Sequence, residues 1–171
     1  LARTLNLGLV EVETRRIEQQ RQTNPDAREL AMRGWALWYR PFTPANRMQA
    51  LDSFERALSI DPHSVDALVG AALMLAANVS TGISHDRDHD IARAEHLIES
   101  ALTLDPNSSD AYQTLGFIRR LQGRVDESAT QLEKSIALNH NNMHAIFLLG
   151  QVRLSQGRPE AALALVDQAY R

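Results

Sequence analysis

The sequence predicts an all-α fold, a right-handed superhelix of stacked helix pairs, and three observations carry that prediction. A helix-turn-helix spacing laid down by Tyr112, Leu115, Gly116, Arg119, Ser128, Leu132 and Ser135 recurs 34 residues later as Ile146, Leu149, Gly150, Arg153, Ala162, Val166 and Ala169. Apolar residues return at three- and four-residue steps, the period of a helix buried on one side. Gly123 and Gly157 stand where first helices must end, and Pro44 and Pro159 stand where second helices begin.

Composition narrows the functional classes. With 171 residues, 23% charged and a net charge of -3, the chain lacks the basic footprint of a nucleic-acid binder, and no such partner is expected. It contains no cysteine, which excludes disulfides, thiolate metal sites and cysteine nucleophiles together. The most apolar run, residues 65–77, is too short for a membrane span and carries Asp66. No charged leader with an apolar segment and cleavage site opens the chain. A cytoplasmic protein without a membrane partner is therefore expected. Its start at Leu1, inside a helical pattern, reads as a piece of something longer.

In order along the chain, residues 1–24 place Leu1, Leu5, Leu9, Val10, Val12 and Ile17 on one side of a helix, with Arg3, Glu11, Thr14, Arg15 and Glu18 opposite. This amphipathic helix either caps the first unit, as ends of helical arrays require, or enters a groove as a ligand. Asn24, Pro25 and Asp26 break the pattern, with Asp26 as expected N-cap. Four units then follow, over residues 25–62, 63–106, 107–140 and 141–171. Unit one has Leu30, Gly34 and Leu37 on its first helix, then Ala50, Phe54 and Ala57 on its second, with four extra residues near 40–46. Its longer turn ends on Thr43 as N-cap. Unit two, capped by Ser64, is ten residues over the period, the excess falling at 78–90 and read as a loop insertion. Ser108 and Asn142 cap units three and four. The last helix leaves Leu163, Val166 and Tyr170 without a polar sealing helix, so either the chain was cut there or another chain covers them.

By these residues the chain resembles the tetratricopeptide-repeat proteins over roughly residues 26–171, most closely in units three and four. Arg33 departs from the pattern in unit one, as does Ala72, in place of glycine, in unit two. A further resemblance lies in the stretch LARTLNLGLVEVETRR, followed by Asn24, Pro25, Asp26, Ala27 and then Met32, Arg33, Gly34, Trp35, Ala36, Leu37. It is similar to the segment before the repeats in bacterial multidomain signalling proteins that carry a class III adenylate cyclase or a winged-helix domain. Such chemistry would lie outside these residues.

The repeat resemblance implies that the first helix of each unit lines a concave groove. Carried over by spacing, that groove holds Arg28, Ala31, Trp35 and Trp38, then Asp66, Val69 and Leu73. Asp110, Gln113, Phe117 and Arg120 follow, and His144, Phe147, Gln151 and Leu154 complete it. The Lys, Asn and Arg clamp with which some relatives hold C-terminal carboxylates is missing. Its positions carry Ala31, Trp35, Gly70, Asp110 and Thr114, so a chaperone-tail receptor is not expected. Trp35 and Trp38 read either as partner anchors or as packing under the N-terminal helix.

Chemistry beyond binding has little support. His85, Asp86, Asp88, His89 and Asp90 offer imidazole and carboxylate ligands, but as a near-consecutive run without fixed spacing they read as a solvated loop in which Asp88 or Asp90 caps a helix. No phosphate loop, nucleophile elbow or paired-histidine zinc motif occurs, and no cofactor or metal is implied. The expected function is that of a non-catalytic module of a bacterial signalling protein that binds a helix or peptide. Two alternatives stay open: homodimer formation through either end, and sensing of a small molecule or metal through 78–90.

Overall fold

The structure, a computed structural model, describes residues 24–169. Eight helices occupy them: α1 (Pro25–Trp38), α2 (Pro44–Ile60), α3 (Val65–Ser80), α4 (Arg87–Leu104), α5 (Ser109–Leu121), α6 (Val125–Leu138), α7 (Met143–Ser155) and α8 (Pro159–Ala169). There are no strands among the described residues. The expected helix over 1–24 falls outside them except for Asn24, as do Tyr170 and the side chain of Val166. Helices pack as consecutive pairs, and α1, α3, α5 and α7 also pack on one another in sequence. This is the helical-repeat solenoid that the spacing predicts.

Local chemistry sets the helix starts. Asn24, not Asp26, caps α1: its Oδ1 accepts the Asp26 N–H at 3.0 Å, and Pro25 takes the first position, where its missing N–H costs nothing. Thr43 caps α2 ahead of Pro44, as expected, through the Asn46 N–H at 3.0 Å. Asp86, rather than Asp88 or Asp90, caps α4 by accepting the His89 N–H at 3.1 Å. Ser108 and Asn142 cap α5 and α7. Gly123 and Gly157 turn the chain with φ of 76° and 71°, in the left-handed region that side chains with a Cβ rarely adopt.

The ten additional residues of unit two are mostly helix, which corrects the loop expectation. α3 and α4 have 16 and 18 residues where α5 and α6 have 13 and 14, while the connection at 81–86 is only three residues longer than that at 122–124. The lengthened α3 is the centre of the molecule. Every residue from Ala67 to Asn78 is buried, as expected of a helix apolar all round, and α1, α2, α4 and α5 all pack on it.

Phe54 of α2 is fully buried and lies against Gly34 of α1 and Gly70 of α3. A Cβ at either glycine would stand 2.7 or 2.3 Å from the ring, so both positions are empty because the ring fills them. In unit three, a Cβ at Gly116 would meet Leu132 at 2.6 Å, and Ser128 donates its hydroxyl to the Gly116 carbonyl at 2.7 Å.

The arginines that recur at the period tie neighbouring units together. Arg119 pairs with Glu95 of the preceding unit and donates to Gln122 Oε1 at 2.8 Å, while Gln122 Nε2 donates to Glu95 at 2.9 Å. One period later Arg153 pairs with Glu133 and donates to Gln156 at 2.7 Å, and Gln156 donates to Asp126 at 2.7 Å. Burial works to raise the Glu95 carboxyl, but hydrogen bonds from Arg119 and Gln122, with the charges of Arg119 and Arg124, hold it below its ordinary 4.5. A depressed carboxyl contributes stability above that value and loses it as the pH falls through the folded value. Glu95→Gln is therefore expected to cost about 1–2 kcal/mol at neutral pH. In urea unfolding the difference from the parent protein should shrink below about pH 4; a pH-independent difference would contradict the pairing.

Candidate partner-binding site

A cavity of about 900 Å³ receives side chains from the first helix of all four pairs. Trp35, Trp38 and Tyr39 come from α1 and its end, Asp66 and Leu73 from α3, Asp110 and Gln113 from α5, and Met143 and His144 from the start of α7. Arg47, in the first turn of α2, and Asn139, Asn141 and Asn142, before α7, complete it.

The arrangement closes across the groove. The Trp38 ring lies 6.0 Å from that of His144, so the end of the first helix meets the start of the seventh. Arg47 places its guanidinium 3.7 Å from the centroid of Trp38 and 5.4 Å from that of Phe42, and burial pulls its pKa down. Trp35 packs edge-on to Phe54 at 5.2 Å, which anchors one wall in the core. Leu73 is buried and gives an apolar floor.

The cap of α7 also organises the acidic side. Asn142 Oδ1 accepts the Ala145 N–H at 3.0 Å, while its Nδ2 lies 3.2 Å from Asp110 Oδ1, 3.0 Å from Ser109 Oγ and 3.2 Å from Ser135 Oγ. Burial first, and then the like charge of Asp66, raises the Asp110 carboxyl above its ordinary 3.8, against the Asn142 hydrogen bond and His144. Burial first, and then Arg47, lowers His144 below 6.5 against the pull of Asp110, so the imidazole is neutral near pH 7.

A raised carboxyl makes ionised Asp110 a cost to folding that is full at neutral pH and vanishes as the pH falls below 3.8. Asp110→Asn is accordingly expected to raise the urea midpoint at neutral pH and to leave it unchanged near pH 3. A lower midpoint at neutral pH would show that the carboxylate is structural.

Of the residues that spacing places in the groove, Trp35, Trp38, Leu73, Asp110, Gln113 and His144 gather around this cavity, as does Asp66. Arg28, Val69, Phe117, Arg120, Phe147 and Gln151 do not line it. Val69 and Phe117 are buried at 2% and 8% exposure, and Arg120 lies 5.3 Å from the Phe117 ring centroid with its pKa lowered by burial. Replacing Phe117 would thus disturb packing rather than probe a free surface. Tyr39, Arg47, Asn139, Asn141, Asn142 and Met143 were not legible as lining residues, because they come from helix ends and turns. Arg47, a cation in the turn after Trp38 and Phe42, offered the one readable hint.

The 78–90 segment is internally engaged. Besides the Asp86 cap, Asp90 accepts the Ser84 hydroxyl at 2.7 Å and lies 3.5 Å from His89. Among the described residues no group of three metal-ligating side chains converges, and no helix is long and apolar enough to cross a membrane.

Comparison with known proteins identifies the class of fold. A tetratricopeptide-repeat family model matches residues 118–171. The chain is similar in structure to an O-GlcNAc transferase mutant of Thermobaculum terrenum, with a TM-score of 0.68, 20% identity and coverage of 88% of this chain and 27% of that one. It is similar to Pseudomonas aeruginosa PilF, with a TM-score of 0.64, 20% identity and coverage of 84% and 60%. It is also similar to the first tetratricopeptide-repeat domain of Spaghetti (RPAP3) bound to the HSP90 peptide SRMEEVD, with a TM-score of 0.57, 19% identity and coverage of 77% and 94%. No curated protein sequence matches the chain. The fold is that of the tetratricopeptide-repeat solenoid.

Proposed function

We propose that the chain is a non-catalytic interaction module that captures a peptide or helical segment of a protein partner between its first helices. One observation carries this reading: a cavity of about 900 Å³ between the first helices sets two tryptophans and an apolar floor among charged and amide side chains, offering a partner both aromatic anchors and hydrogen-bonding groups. Large aromatic anchors in such settings dominate binding energy. The peptide held by the RPAP3 domain supports peptide capture by this fold. The resemblance of the residues before and within α1 to bacterial signalling proteins favours a cytoplasmic regulatory setting, with the four proposed units at 25–62, 63–106, 107–140 and 141–171.

The two tryptophans of the sequence both line the cavity, so the protein carries its own reporter. Peptides selected on the full chain from a random display library are expected to shift tryptophan emission saturably. Selected peptides that bind without changing that emission, or a selection that yields no binders, would overturn cavity capture.

Self-association is the second reading, favoured by the large apolar side chains left open on the last pair: Phe147, Leu154 and Leu163 are 61%, 58% and 66% exposed. Light scattering that stays monomeric over a concentration series would end it.

A further inference from the structure

The first helices of the later pairs are covered where α1 is open. The position of Gly34 recurs as Ala72, Gly116 and Gly150, and the residues two before and two after it belong to one helix face. In α3 they are Gly70 and Met74, in α5 Thr114 and Ile118, in α7 Leu148 and Val152, and all six are buried. Gly70 shows what covers this face, because the Phe54 ring of the preceding pair stands where its Cβ would be. α5 and α7 likewise pack on the pair before them. In α1 the same two positions hold Met32, 64% exposed, and Ala36, also exposed. Tyr39, at 80% exposure, continues the stripe at helical spacing. A face that is closed three times over therefore lacks its cover at the start of the array.

We propose that residues 1–20 supply that cover, packed antiparallel to α1 as the second helix of a preceding half unit. These residues lie outside those that the structure describes; their connection, spacing and length carry the assignment. Each later first helix is reached from the helix before it through four residues, 61–64, 105–108 and 139–142. Asn24 caps α1 as Asn142 caps α7, so the matching connection is 21–24. A turn of that length reverses the chain and joins antiparallel helices. Residues equally far from it face each other, and to within one position Val12 meets Met32, Leu9 meets Ala36 and Leu5 meets Tyr39. Those three share the apolar side of the segment. Its length suffices: α1 runs about 21 Å, and residues 5–20 wound as a helix run about 24 Å. Groove entry by the same segment would leave Met32 and Ala36 open. Because Trp35 and Trp38 stand on the neighbouring side of α1, the cap leaves the cavity free and borders it at Tyr39 alone. The proposal is thus independent of peptide capture.

The absence of cysteine lets engineered pairs be read without background. In the full chain, Val12→Cys with Met32→Cys, and Leu9→Cys with Ala36→Cys, are expected to close intramolecular disulfides under mild oxidation. Closure should be at least about tenfold faster than for Val12→Cys with Asp66→Cys, which reports groove entry, since a bridge needs Cα atoms within about 7 Å. A second measurement needs no cysteine. Met32→Glu would be neutral on an open surface; under a cap it is expected to lower the urea midpoint of the full chain. Leu9→Glu should lower it too, and the two together by less than the sum, because both remove one interface. Equal closure rates, faster closure to Asp66→Cys, or an unchanged midpoint in Met32→Glu overturns the proposal. Disulfides that form only between chains overturn it as well and give the stripe to a second copy.

Discussion

Phe54→Ala is expected to be the most destabilising single substitution in the described chain, at about 3–5 kcal/mol. The ring is fully buried, with the backbones of two helices against it and Trp35 edge-on to it. Gly34 of α1 and Gly70 of α3 leave room for it from either side. Removing the ring empties a space that α1 and α3 can close only by moving bodily, so little of the loss is recovered. The reverse substitution probes the same contact. In Gly70→Ala the new methyl would lie 2.3 Å from the ring, closer than real Cβ atoms come, and with no exposed side the ring must be accommodated by helix displacement. A cost of about 1–3 kcal/mol is expected, and less than the sum of the two when combined with Phe54→Leu, because a smaller side chain frees the space that the methyl needs. Urea unfolding of Phe54→Ala, Gly70→Ala, Phe54→Leu and the Gly70→Ala/Phe54→Leu pair decides the matter; a neutral Gly70→Ala would mean that the Phe54 ring does not lie against α3 at Gly70. Trp35 shares an edge contact with Phe54 at 5.2 Å, so the first wall of the cavity should loosen with the core.

The same residues show how far the sequence could be read. Helix pairs and their approximate positions follow from the spacing, because a repeated local pattern is a local property. Arg119 and Arg153 were visible as members of the period, but their roles were not. Their partners Glu95 and Glu133 lie 24 and 20 residues earlier, and no local pattern links them. Asn24 outcompetes Asp26 as a cap because Pro25 fits the first helical position and needs the cap directly before it. The excess of unit two was legible as a length but not as helix, since the alternation in Asp86, Asp88 and Asp90 mimics a polar loop and the extension of α3 is decided by packing on four neighbours. At the site, positions on the first helices could be listed from periodicity. Which of them share a cavity depends on the tilt accumulated across successive helix contacts, and that tilt brings Trp38 to His144 over 106 residues of sequence.

Trp38→Ala is expected to weaken capture of a selected peptide by about 30-fold or more, the loss of at least about 2 kcal/mol typical of a central aromatic anchor. The indole is held by two contacts, a guanidinium on the ring at 3.7 Å and an imidazole at 6.0 Å from the start of α7. Without it Arg47 loses the ring on which its guanidinium rests. The effect on binding should therefore exceed the effect on folding, since Trp38 is only half-buried and packs against the core rather than within it. Phe147→Ala provides the contrast. That ring is 61% exposed on the first helix of unit four but outside the cavity lining, and its removal is expected to change affinity by less than about threefold. Fluorescence of the remaining Trp35, or calorimetric titration, measures both. Equal losses from the two substitutions would mean that the partner runs along the whole series of first helices, and a larger loss from Phe147→Ala would move the site to the last pair, where the exposed apolar side chains favour self-association instead.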